Sequence, residues 1–128
     1  MRRRTLLTLA ALCLTAWLTS TARAETIAPE DAEDHLGEQV TVKMEVEASK
    51  YLRDKGICFL NSMRRHRDPG NFAVVMFSDA LEAFAKKGIE DPADHFYGKT
   101  IEVSGKVEKY RDQVQIEVEE PDQIEVVE

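Results

Sequence analysis

The stretch Gly98 to Val118, GKTIEVSGKVEKYRDQVQIEV, constrains the fold of this chain more than any other. Ile101, Val103 and Val107 share one parity, and Thr100, Glu102, Ser104, Lys106 and Glu108 share the other. That is the period-two pattern of a strand with one face buried and one wet. Gly105 occupies an inward slot where a side chain is due. A glycine there marks a bulge or sharp coil, by which a long strand bends to close a small barrel. Beyond Tyr110-Arg111-Asp112 the alternation resumes at Val114, Ile116 and Val118, so the stretch reads as a hairpin. A hairpin alone cannot cover its apolar face and needs further strands.

The remaining segments supply them. Val40 to Ala48 alternates and reads as a first long strand, followed by a polar loop, Ser49 to Gly56, that contains Tyr51. Ile57 to Asn61 is a short second strand with Phe59 and Asn61 on one face, the polar Asn61 suggesting a face partly open to solvent. Ser62 to Gly70 carries Arg64-Arg65-His66-Arg67 and the turn residues Asp68-Pro69-Gly70. Phe72 to Phe77 is almost wholly apolar, as a central strand covered on both sides would be. From Asp79 to Lys87 the period changes to that of a helix. Asp79 and Glu82 have capping-box spacing, Leu81, Phe84 and Ala85 form the apolar stripe, and Gly88 is the stop. Glu90 to Tyr97 is a linker, Glu119-Glu120-Pro121 breaks the ladder, and Ile124-Glu125-Val126 is a short terminal strand. Strand, strand, strand, helix, strand, strand is the order of the five-stranded Greek-key OB barrel, mainly β, with its helix between strands three and four.

The N-terminus has a different character. Arg2-Arg3-Arg4, an apolar run from Leu6 to Leu18, and Ala22-Arg23-Ala24 make a secretory signal peptide cut after Ala24. The run is short of the roughly 20 apolar residues of a membrane span, and its arginine pair fits either the general or the twin-arginine export route. A single domain over residues 25–128, periplasmic or secreted and with no membrane span after cleavage, is therefore expected. Four of the seventeen Lys and Arg leave with the leader; the remaining thirteen face twenty-four Asp and Glu, a net charge of −11. Such a chain repels polyanions at long range, against nonspecific nucleic-acid binding, unless a local patch opposes the global sign. Cys58 is then the one cysteine, so no internal disulfide is expected. Between Ile57 and Phe59 it reads as a small buried hydrophobe.

The motifs Ala32-x-x-His35-x-Gly37-Glu38, Thr41-Val42, Phe59-Leu60-Asn61, Phe72-Ala73-Val74-Val75, Tyr97-Gly98-Lys99-x-Ile101, Val103-x-Gly105-Lys106-Val107, Tyr110-Arg111 and Pro121-x-Gln123-Ile124 together carry a likeness. In this order the chain resembles a family of small exported bacterial OB-fold proteins. These are related to the nucleic-acid-binding-like OB modules found beside some secreted nucleases. The chain departs from that pattern at Lys43-Met44-Glu45, where the family has Cys-Gly, at Asp112, where it has glycine, and in its three loop arginines. The fold name does not determine the ligand, because one fold hosts many functions.

No serine lies in a G-x-S-x-G setting, and there is no glycine-rich phosphate loop and no H-E-x-x-H. The acids match no calcium loop. Neither catalysis, cofactor nor metal is expected. Ile27 to Ala32 reads as an entry segment with a short helical turn that Leu36-Gly37 ends; His35 reads as a cap or packing residue of that turn, and His66 and His95 as loop residues. The constellation with chemical content is Phe59 and Asn61 on strand two, with Tyr51, Arg64, Arg65 and Arg67 on flanking loops. Tyr110, Arg111 and Gln113 form the facing wall. OB folds bind oligomers across strands two and three between these loops, aromatic residues stacking on bases and arginines tracking phosphate. The structural alternative is a core phenylalanine beside a solvated turn. Two functions follow: a binding module for an oligomeric ligand such as single-stranded nucleic acid, or a protein-interaction module serving envelope maintenance.

Overall fold

The computed structural model describes residues 25–127; the expected leader lies outside the described residues. Strand β6, Thr100–Tyr110, is the long strand around Gly105, with Ile101, Val103, Gly105 and Val107 buried. Its first half pairs antiparallel with β2, Gln39–Glu45, from Glu45↔Thr100 to Gln39↔Lys106. From Val107 onward it pairs instead with β7, Gln113–Val118, in the register Val107↔Ile116 to Tyr110↔Gln113. Gly105 stands at this change of partner. A Cβ built there would lie 2.6 Å from Ile116 Cγ2, so the missing side chain is what lets β7 fold tightly onto β6 at the barrel corner.

The sheet runs β2–β6–β7–β5–β4–β3, with β3 at Ala48–Leu52, β4 at Ile57–Asn61 and β5 at Phe72–Met76. Strands β2 and β3 are two halves of one bent run interrupted at Val46-Glu47, and the ring closes through them. β5 and β7 pair in parallel, while the other neighbours on this path are antiparallel. With β2 and β3 counted as one strand, this is the OB barrel, 1-2-3-5-4-1. Short β1, Thr26–Ile27, adds parallel to β2, and β8, Ile124–Val126, adds antiparallel to β6.

Three local expectations are corrected. The loop read after Ala48 is strand β3, because pairing with β4 from Ala48↔Asn61 to Leu52↔Ile57 overrides a segment with no clear alternation. Helix α1 runs Ser78–Lys86 with Phe77 at the N-cap and no side-chain cap bond. It starts two residues early for the Asp79–Glu82 box, leaving Asp79 in the first turn, where a carboxylate suits the helix dipole. The linker contains a second helix, α2, Pro92–Phe96, which therefore holds His95; the Asp91 carboxylate accepts from Asp94 N at 3.0 Å. Phe84 of α1 and Phe96 of α2 meet edge to face, ring centroids 5.9 Å apart, among the buried core residues.

Val42, Met44, Val46, Leu60, Ile101, Val103, Val107, Ile116 and Val118 all belong to the buried core. Val75 is equally buried, but its register opposite Phe59 and Glu117 puts it on the outer sheet face. Cys58 is fully buried as expected. Burial foremost, then the nearby Asp91 charge, pushes its thiol up to about 12, so it is no reactive thiolate at neutral pH. His35 Nδ1 lies 3.1 Å from Glu38 Oε2 at the end of the 3-10 turn Pro29–His35. Gly37 N donates to Val107 O at 2.8 Å, clamping that turn to β6. Among the described residues, no helix is long and apolar enough to cross a membrane.

Candidate ligand-binding groove

Cross-strand register decides which side chains share the outer face of β3–β4–β5–β7. One row reads Lys50, Phe59, Val75, Glu117, and the next reads Ala48, Asn61, Ala73, Gln115, ending on β6 at Glu108. Tyr110 and Gln113 pair one step further along. Above these rows lies a groove of ≈ 520 Å³, within the few-hundred-Å³ range of small-molecule and oligomer subsites. Phe59, half-exposed beside the small Ala73, forms its floor. The β4–β5 loop supplies one wall with Arg64 and His66, the β6–β7 turn supplies the other with Tyr110 and Arg111, and Lys50 lies at the β3 end.

The two walls are tied together. Asn71 Nδ2 donates to Asn61 Oδ1 at 3.0 Å and to Gln113 Oε1 at 3.2 Å, and Gln113 Nε2 donates to Asn71 O at 2.7 Å. Asn71 Oδ1 also accepts from Met63 N at 3.0 Å, holding the start of the basic loop. Asn61 is thus buried, at 8% exposure, rather than open to solvent. A buried amide network with its hydrogen bonds satisfied fixes the geometry around it. Opposite, Arg111 (φ 48°) and Asp112 (φ 65°) are both left-handed, the requirement of a two-residue type I′ hairpin turn. This tight tip projects Tyr110, 58% exposed, with the Arg111 guanidinium 5.4 Å from its ring centroid.

Of the residues singled out from sequence, Phe59, Asn61, Arg64, Tyr110, Arg111 and Gln113 line this groove together. Tyr51 does not. It pairs with Cys58, one step off the parity of Phe59, and packs against the barrel core under the Arg53 guanidinium at 4.6 Å. Arg65 and Arg67 are exposed outside the groove lining, and Arg67 faces a separate cleft of ≈ 720 Å³ beyond the hairpin. Lys50, His66, Gln115 and Asn71 are among the contributors that sequence reasoning missed. Lys50 and Gln115 reach the face only through register. Asn71, a lone amide between a Pro-Gly turn and an apolar strand, was the available signal for a buried polar anchor.

The groove's electrostatics oppose those of the chain. Lys50, Arg64 and Arg111 line it, none of them in an ion pair among the described residues, and no Asp or Glu is among its lining residues. The carboxylates collect elsewhere, as at Glu108, Glu117 and Glu119. Burial, a hydrogen bond with Glu119, and then the charges of Glu119 and Glu108 raise the Glu117 carboxyl above the ordinary range. A cationic groove with one aromatic on its floor and one on its wall can hold a planar ring and flanking anionic groups.

Fold and groove together define an OB-fold domain. No family model matches the chain, and no curated protein matches it. Among solved structures it is similar to the aspartyl-tRNA synthetase of Entamoeba histolytica, with TM-score 0.56 and 17% identity, covering 84% of this chain and 22% of that one. The asparaginyl-tRNA synthetase of Entamoeba histolytica follows at TM-score 0.52 and 18% identity, over 81% of this chain and 24% of that one. That of Pyrococcus horikoshii stands at 0.52 and 18%, over 80% and 23%. This chain spans about a quarter of the length of each, and the likeness is one of fold.

Proposed function

We propose that this is an exported, non-catalytic OB-fold module that binds a short segment of single-stranded nucleic acid in the groove over Phe59. The observation that carries the reading is the lining itself: three cations with no ion-pair partner, two aromatics and no carboxylate among the described residues, in a chain expected to carry a net charge of −11 after leader removal. Base stacking contributes about 1–3 kcal/mol per base, and the cations supply the phosphate term. That the solved neighbours are by name tRNA synthetases agrees with a nucleic acid over other oligoanions. Three phosphate contacts imply a log–log salt slope of about −2, so binding is weak and nearly lost at physiological salt.

Fluorescence anisotropy of a labelled oligo-dT at low salt tests this. Replacing Lys50, Arg64 and Arg111 with Ser should flatten the slope, whereas replacing Arg65 and Arg67 should leave it nearly unchanged. Phe59→Ala, its fold checked by circular dichroism, should weaken binding without altering the slope. Absence of binding by the wild type at low salt retires the nucleic-acid reading in favour of the protein-interaction module. Export is read from the N-terminus alone, and intact mass of periplasmic material should begin at Glu25. A species that retains the leader and fractionates with membranes overturns it.

A further inference from the structure

The groove has cations at both ends and carboxylates along its flanks. Lys50 stands at the β3 end and Arg111 at the hairpin. Between them the path crosses β4, β5 and β7, four strand spacings or about 20 Å. Laid straight across the sheet, a strand leaving Phe59 runs into Glu117, and one leaving Asn61 runs into Glu108. A cavity of ≈ 470 Å³ beside them gathers Glu108, Glu117 and Glu119 around one cation, Lys106. Past the hairpin, the ≈ 720 Å³ cleft sets Glu30, Glu33, Asp68 and Asp112 against His66, Arg67 and Arg111. An anionic chain is thus met by net acid along the β7–β6 side, whereas beyond the turn Glu33 is paired with Lys109 at 3.2 Å and the other acids stand against Arg67 and Arg111.

We infer that these carboxylates fence the groove into a short site that takes about four nucleotides or fewer, lying diagonally from Lys50 to Arg111, with any longer strand leaving over β3. Resting on the nucleic-acid reading above, this adds a footprint and a direction. The site falls at the low end of the range, about 4–16 nucleotides, seen per OB fold. At separations under a Debye length, exposed like charges still repel appreciably at low salt. Two carboxylates in the way of extra phosphates are therefore enough to remove the gain that added length normally brings.

The experiment is an anisotropy series with fluorescein-labelled oligo-dT of 2 to 12 nucleotides at low salt. It compares wild type, Glu108→Gln/Glu117→Gln and Glu102→Gln/Glu125→Gln. The last pair face each other on β6 and β8, in the other half of the barrel wall, and change net charge equally. Wild-type affinity should rise to about 4 nucleotides and then stay flat within about twofold. The Glu108→Gln/Glu117→Gln protein should go on rising, binding the 8-mer about fivefold tighter than wild type, while its 3-mer affinity moves less than about twofold. The control should follow the wild-type curve. Wild-type affinity that climbs through 12 nucleotides, or a fence variant that matches the control, overturns the footprint while leaving the binding site standing. No binding by any of the three proteins retires the nucleic-acid reading itself.

Discussion

Gly105→Ala tests the corner of the barrel with a single methyl group. The new Cβ would sit 2.6 Å from Ile116 Cγ2 and 3.3 Å from Gln123 Nε2. Ile116 is fully buried and β-branched, so its methyl cannot swing away without leaving its rotamer or displacing β7. Overpacking of this kind destabilises by about 1–3 kcal/mol. Gln123 also donates from Nε2 to Ser104 O at 2.9 Å, and disturbing that bond adds about 1 kcal/mol. Against this, Gly105 has no positive φ, so alanine is not strained and gains about 0.4–1 kcal/mol by restricting the unfolded chain. The net expectation is a loss of about 2 kcal/mol, or roughly 8–16 °C in Tm for a domain of this size. Urea denaturation and calorimetry of the pair Gly105→Ala and Ile116→Ala, with the double variant, give the decisive comparison. Once Ile116 is truncated, the added methyl fills space instead of colliding, so Gly105→Ala should be near neutral or stabilising in that background. An equal cost in both backgrounds would refute the idea that close approach of β7, rather than backbone freedom, requires glycine here.

Three further outcomes follow from the same geometry. Val103, fully buried between Val42 and Ile124, changed to Asp should lose several kcal/mol. Glu102→Lys, on the wet face beside Lys43 and Glu125, should stay within about 0.5 kcal/mol; equal shifts in Tm would invalidate the strand's parity. Asp112→Gly relieves a left-handed non-glycine residue at φ 65° and should stabilise by about 0.5 kcal/mol, seen as a small rise in urea midpoint. Because the folded pKa of Glu117 is raised, the folded state holds that proton more tightly than the unfolded state does. Its contribution is present below the unfolded value of about 4.3 and is lost as pH rises through the folded value. Glu117→Gln should therefore raise Tm at pH 7, with the advantage fading toward pH 4, and a pH-independent difference in paired melts would contradict this.

How much of this was legible depended on whether a residue's role is set along its own strand or across strands. Ile101, Val103, Val107, Ile116 and Val118 were assigned from period alone, since alternation on β6 and β7 is strong enough to fix which side is wet. Gly105 stood out as the exception to that alternation, and the corner it makes is where β6 exchanges β2 for β7. The groove is different in kind. Lys50 lies beside Phe59, while Tyr51, its neighbour in sequence, packs against the core on the opposite face, and only the pairing Lys50↔Phe59 distinguishes them. A slip of one residue would exchange the two. The same holds for the charges. A net charge of −11 over residues 25–128 argues against a polyanion ligand when spread evenly, yet the register places the nearest acids, Glu108 and Glu117, at the ends of the rows instead of in the groove. Arg64 faces the groove while Arg65 and Arg67 lie outside its lining, because the Asn61–Asn71–Gln113 bonds fix where the basic loop starts and ends. Composition alone therefore does not give the sign of the groove, because a local potential depends on which few charges the folded face brings within a Debye length.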